Sequence, residues 1–104
     1  MPSRREKLEA MLQTTPGDQL LRYMLAMELD RGGLTDESLW HFTQLMRAVP
    51  CYVPAFLMGG QLLMRLGRTE EARSVFVDGI AAAQQQQNSH AAGEMAGFLA
   101  SLGN

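Results

Sequence analysis

A single cysteine, a single tryptophan and an aromatic content of 7% leave this 104-residue chain without the usual means of covalent stapling or cofactor stacking. Cys51 has no partner for an internal disulfide. It lies between Pro50 and Tyr52 in no metal-ligand spacing, which suits a reducing cytoplasmic setting. Long apolar runs are missing as well, and no stretch nears the roughly 20 residues that cross a bilayer. The basic start, Met1 to Lys7, leads into Leu8–Leu12, which Glu9 interrupts before it reaches signal-peptide length. Charge of one sign is lacking too. Nine basic and eleven acidic residues, a formal net charge of −2, create no field that would draw nucleic acid or an anionic membrane.

Catalytic patterns are equally scarce. His41 and His90 are far apart in sequence and fall in no metal spacing, so each reads as a surface or packing histidine. No strand is predicted and no glycine-rich loop follows one, which removes the common phosphate cradles. Ser89-His90 lacks the context of a nucleophile elbow. The acidic pairs Asp36-Glu37 and Glu70-Glu71 read as helix-start charges, which the helix dipole favours. No catalytic residue, no metal site and no cofactor is expected.

What the chain does contain is helix. Hydrophobic residues at 46% and charged residues at 19% describe one small globular domain over 1–104 that buries its own core. An opening helix over 4–15 carries Leu8, Met11 and Leu12 at helical spacing, and Thr15-Pro16-Gly17-Asp18 stops it and supplies Asp18 as the next cap. The segment 19–50 holds two helices. In the first, Leu21, Met24, Leu25 and Leu29 form one stripe, with Leu20, Tyr23 and Met27 beside it, so two surfaces are packed. Gly32-Gly33 turns the chain, where a residue without Cβ takes positive φ. Thr35 is the expected cap of the second helix, with Leu39, Phe42, Leu45, Met46 and Val49 facing inward until Pro50. The segment 53–85 follows the same plan, with Thr69 in the place of Thr35. Ala81 to Gln87 is good helix-forming material that is expected to lengthen its second helix by a turn. Asn88-Ser89 marks a new cap, and a last helix over 89–102 carries Ala91, Met95, Phe98 and Leu102 on one face.

A shift of 34 residues lays Leu29 on Leu63, Arg31 on Arg65, Gly33 on Gly67, Thr35 on Thr69, Glu37 on Glu71 and Phe42 on Phe76, while Pro16 and Pro50 keep the same interval. Within that register small residues recur at Gly59, Gly60, Ala72 and Gly79, where helices that cross closely need them. A helix-turn-helix unit of this period, with this order of small, aromatic and turn residues, resembles the tetratricopeptide repeat family. Arg22, Leu45 and the absent second closing proline depart from its pattern. The resemblance implies an all-α fold, with antiparallel helix pairs stacked as a short right-handed superhelix of about five helices: a half-repeat, two repeats and a capping helix.

It also implies a non-catalytic protein-interaction module, an adaptor or assembly factor that holds an apolar peptide or helix in a concave groove lined by the first helix of each pair. The residues in those places are Tyr23, Met27 and Asp30, with Leu20, and then Leu57, Gln61 and Met64; Met95 and Phe98 of the last helix either join them or fill the groove. Trp40 falls on the outward side of its helix. It either forms a contact surface with Tyr52 or His41 or folds over the opening helix. Two repeats leave few units to cover the ends of a stack, so self-association as a homodimer is the alternative to a separate protein or peptide partner.

Overall fold

A computed structural model describes residues 1–103 as six α-helices and, among these residues, no strand. The helices are α1 (Arg4–Thr14), α2 (Gln19–Arg31), α3 (Thr35–Arg47), α4 (Val53–Arg65), α5 (Thr69–Gln85) and α6 (Ser89–Ser101), the six that a half-repeat, two repeats and a capping helix contain, against the expected count of about five. They stack as hairpins into an elongated body of 47 × 29 × 18 Å. α2 pairs with α3 and α4 with α5. α1 covers the outer side of α2, and α6 lies against α5 and alongside α4.

Local chemistry sets the helix ends, though not always by the residues the sequence pointed to. Ser3 opens α1 in a reciprocal capping box with Glu6, each accepting the other's backbone N–H at 3.1 Å. Asp18 caps α2 through the Leu21 N–H, and Asn88 caps α6 through the Ala91 N–H. Thr35 and Thr69 do not cap. Each is the first helical residue, preceded by Leu34 or Arg68, whose side chains accept no N–H. The first-turn carboxylates Asp36, Glu37, Glu70 and Glu71 complement the exposed N–H groups there. α5 runs for 17 residues against 13 in α3, so the alanine- and glutamine-rich stretch does add about a turn.

The two hairpin turns repeat atom for atom. Gly33 and Gly67 sit at φ +81° and +74°, and the N–H of the next residue, Leu34 or Arg68, donates to Leu29 or Leu63 at 2.9 Å. The α3–α4 linker is held from both sides instead. Gln19 donates to the Pro50 carbonyl at 2.8 Å, and Gln86 donates to the Cys51 carbonyl at 2.9 Å. Because α3 ends at Arg47 and Ala48 is extended, Val49 leaves the helix and stands 98% exposed, not inward as its spacing suggested. Met11 is likewise 51% exposed, since only Leu8 and Leu12 of α1 reach α2.

The core is built on α4. Gly59 turns to α3 and Gly60 to α5: a methyl group at 59 would lie 2.6 Å from the end of Met46, and one at 60 would lie 2.6 Å from the Phe76 ring. Two buried phenylalanines, Phe42 and Phe76, therefore press on consecutive residues of one helix. Gly79 gives the same clearance on α5, where Phe56 and Met95 converge. Ser38, fully buried, donates to the Ala26 carbonyl at 2.6 Å, so a polar residue stands where the next repeat has Ala72 without a polar atom left unpaired.

Candidate interaction surface

Tyr23, Met27 and Asp30 follow one face of α2 at i, i+4 and i+7, and Leu57, Gln61 and Met64 repeat that spacing on α4, 34 residues on. All six are half-buried, neither sunk in the core nor freely exposed. Met27 rests on the cluster formed by Ala26, Phe42, Leu45, Ala55 and Leu62, while Leu57 and Met64 rest on the one formed around Phe56, Leu63 and Phe76. Tyr23 leans edge-on against Phe42, centroids 6.1 Å apart, and against Tyr52 at 5.3 Å. Burial, and then the neighbouring Tyr52, push its phenol above the ordinary tyrosine range, so it stays neutral.

The polar ends of the face are already engaged. Asp30 accepts both terminal N–H groups of Arg65, at 2.6 and 3.4 Å, which ties the end of α2 to the end of α4. Gln61 makes only a long contact to the Met58 sulfur, 3.7 Å. α6 does not lie over the α2 half of this face. Met95, expected at the groove, is fully buried between α5 and α6, where its sulfur covers Gly79, and Phe98 stacks on Phe76 of α5 at 5.6 Å. α6 begins 36 residues after α4, and Gly103 takes φ +71°, as Gly33 and Gly67 do in the two hairpin turns. α6 thus occupies the place of another first helix in the row.

A tetratricopeptide repeat domain protein from Salinibacter ruber, solved in solution, superposes on this chain with a TM-score of 0.80 and 27% identity, over 85% of this chain and 89% of that one. The solution structure of a Bordetella parapertussis protein matches with a TM-score of 0.80 and 30% identity, over 98% and 89% of the two chains. The chain has a tetratricopeptide-repeat-like fold. No family model matches the sequence, and no curated protein does. Tetratricopeptide repeats are protein-interaction folds and in general non-catalytic. Among the described residues no helix is long and apolar enough to cross a membrane, and no three His, Cys, Asp or Glu side chains gather at one point.

On the other side of this hairpin, Trp40 is 56% exposed, so it does not fold down over α1. Its neighbour is His41, edge-on at 4.9 Å with the rings 88° apart, and not Tyr52, which packs on Tyr23. The guanidinium of Arg22 lies over the indole, 5.7 Å from its centroid, and donates from Nη1 to Nδ1 of His41 at 2.9 Å. Arginine has no acceptor atom, so Nδ1 is bare and the imidazole proton sits on Nε2. Burial, followed by the Arg22 charge, holds the imidazole below its usual range, with Glu37 opposing weakly. Arg22 carried a signal in the sequence, as a charged residue breaking the repeat pattern. Its meeting with His41, 19 residues away, did not.

Proposed function

We propose that this chain is a non-catalytic adaptor or assembly module that holds an apolar peptide or helix of a partner protein along the α2–α4 face. The observation that supports this is the repeated half-buried stripe of Tyr23 and Met27, then Leu57 and Met64, laid on two separate core clusters. Methionine side chains adapt to varied shapes, and an amphipathic helix offers its anchors at the same i, i+4, i+7 intervals. Gln61 supplies a polar contact between the apolar ones. Asp30 contributes by holding the two first helices in register through Arg65. The partner is a protein or peptide and the setting cytoplasmic; no cofactor or metal takes part, nor does nucleic acid or a membrane.

Affinity capture with the intact chain tests this against Tyr23→Asp and Met64→Lys. Both variants should fold, by circular dichroism, and both should lose a partner that the parent chain enriches. Equal recovery by parent and variants would end the reading. Self-association as a homodimer is the second reading, supported by the exposed apolar side chains Leu20 and Val77. Sedimentation at high micromolar concentration separates the two, since a module of the first kind runs as a monomer.

A further inference from the structure

A half-buried arginine is costly unless an anion faces it, and the ion pairs of this chain make one arginine conspicuous. Arg4, Arg5, Arg31, Arg65, Arg68 and Arg73 each lie within 4 Å of a carboxylate. Among the described residues Arg22 forms no ion pair, and unlike Lys7 and Arg47, which share that state, it is not on the open surface. Its one hydrogen-bond partner is the neutral ring nitrogen of His41, which leaves four of its N–H donors without a protein acceptor.

None of the nearby carboxylates lies within 4 Å of Arg22. Glu9 of α1 faces Arg5 at 3.7 Å, Asp18 spends its side chain on the α2 cap, and Glu37 stands exposed in the first turn of α3. Arg22 also borders two hollows at once. One, of about 370 Å³, lies between α1, α2 and α3, with Glu9 at its α1 side and Leu12, Pro16, Leu25 and His41 in its walls. The other, of about 310 Å³, lies beneath the α1–α2 turn, with Gln19, Gln44 and the cap residue Asp18 in its walls. Trp40 provides a flat apolar platform beside the same guanidinium.

The geometry points to a second docking site, in which Arg22 receives an aspartate or glutamate side chain of a partner protein while Trp40 packs against the apolar residue next to it. Arginine matches a carboxylate with two parallel N–H donors, and here it is oriented in advance by His41 and the indole. The site is separate from the α2–α4 face and does not depend on it. It also gives a role to Arg22, which departs from the repeat pattern, and to Trp40, which falls on the outward side of its helix.

Trp40, as the lone tryptophan, is a built-in reporter at the site. The test is a fluorescence titration of the intact chain with a short peptide of alternating leucine and glutamate, blocked at both ends. Saturable change in the indole emission is expected, weakening as salt is raised. The same peptide with glutamine for glutamate should bind about tenfold more weakly or worse, as should the glutamate peptide with Arg22→Gln. Arg22→Lys should recover part of the loss, and Lys7→Gln, which removes an exposed cation away from the site, should bind as the parent does. The glutamate and glutamine peptides are compared on the unaltered chain, so a variant that fails to fold does not block the decision. Equal affinity for the two peptides, or no saturable change with the glutamate peptide, overturns the proposal.

Discussion

Replacing Gly60 by alanine sets two effects of opposite sign against each other. Alanine is the better helix former by about 1 kcal/mol, so in the exposed middle of a helix this change stabilises. At position 60 the new methyl carbon would lie 2.6 Å from Cζ and 2.9 Å from Cδ1 of Phe76. Contacts that short force the ring or the helix to move. Phe76 is fully buried and its ring is stacked on Phe98 at 5.6 Å, so the ring has nowhere to retreat. Overpacking of a core at this level costs about 1–3 kcal/mol after relaxation, which exceeds most of the propensity gain. We expect Gly60→Ala to lower stability by roughly 0–2 kcal/mol net and Gly60→Leu by more than that. The internal control is Gly93→Ala on α6, where a methyl group meets nothing within 4 Å. That change should raise stability by about 0.5–1 kcal/mol. For a chain of this size 1 kcal/mol moves Tm by roughly 4–8 °C, so thermal melts followed by circular dichroism resolve the contrast. Phe76→Leu in the Gly60→Ala background should recover part of the clash cost. If Gly60→Ala raised Tm as much as Gly93→Ala does, the close α4–α5 crossing described above would be wrong.

Two further outcomes follow from the helix ends and the Arg22 cluster. Asp18→Ala and Asn88→Ala each remove a side chain that accepts a first-turn N–H and should each cost about 1 kcal/mol in urea or thermal unfolding. Thr35→Ala and Thr69→Ala, which remove no cap, should stay within about 0.5 kcal/mol of the parent. His41 has its folded-state pKa depressed by burial and by Arg22, so the unfolded chain takes up its proton first as pH falls. Its contribution to stability is therefore full above the ordinary imidazole pKa and is lost as the pH falls through and below that value. His41→Gln should flatten the dependence of Tm on pH across that window, and an unchanged slope would contradict the environment assigned to the ring.

Most of the architecture could be read from the chain because it depends on intervals. A turn glycine, a buried phenylalanine and a pair of small residues returning after 34 positions fixed the hairpins, since each position has one steric answer in that geometry. The assignments that missed lie where the interval does not govern. Thr35 and Thr69 looked like caps by residue type, but the Gly33 and Gly67 turns bring Leu34 and Arg68 to the cap position. Val49 obeys the helical spacing of Phe42 and Met46, yet the helix has already ended two residues before it. α6 was read as a terminal cover whose Met95 and Phe98 would reach the groove. The longer α5 moves its register to 36 residues and turns both side chains onto α5 instead. The half-buried stripe of α2 and α4 was readable through the family resemblance, which places those positions on the first helix of each pair. The Arg22–His41–Trp40 cluster and the Asp30–Arg65 pair were not, because they join residues on different helices whose distance apart only the packing determines.

Back-to-back glycines at the middle of α4 bind the fate of the two hairpins together. With no side chain at either position to act as a buffer, a shift in Phe42 is felt by the same short length of backbone that Phe76 touches on its other flank. The molecule from α3 to α5 should consequently melt as one cooperative block and not unit by unit in the manner of a loose array. α1, clipped on by two leucines and the single Arg4–Glu28 ion pair, is the segment free to peel away first.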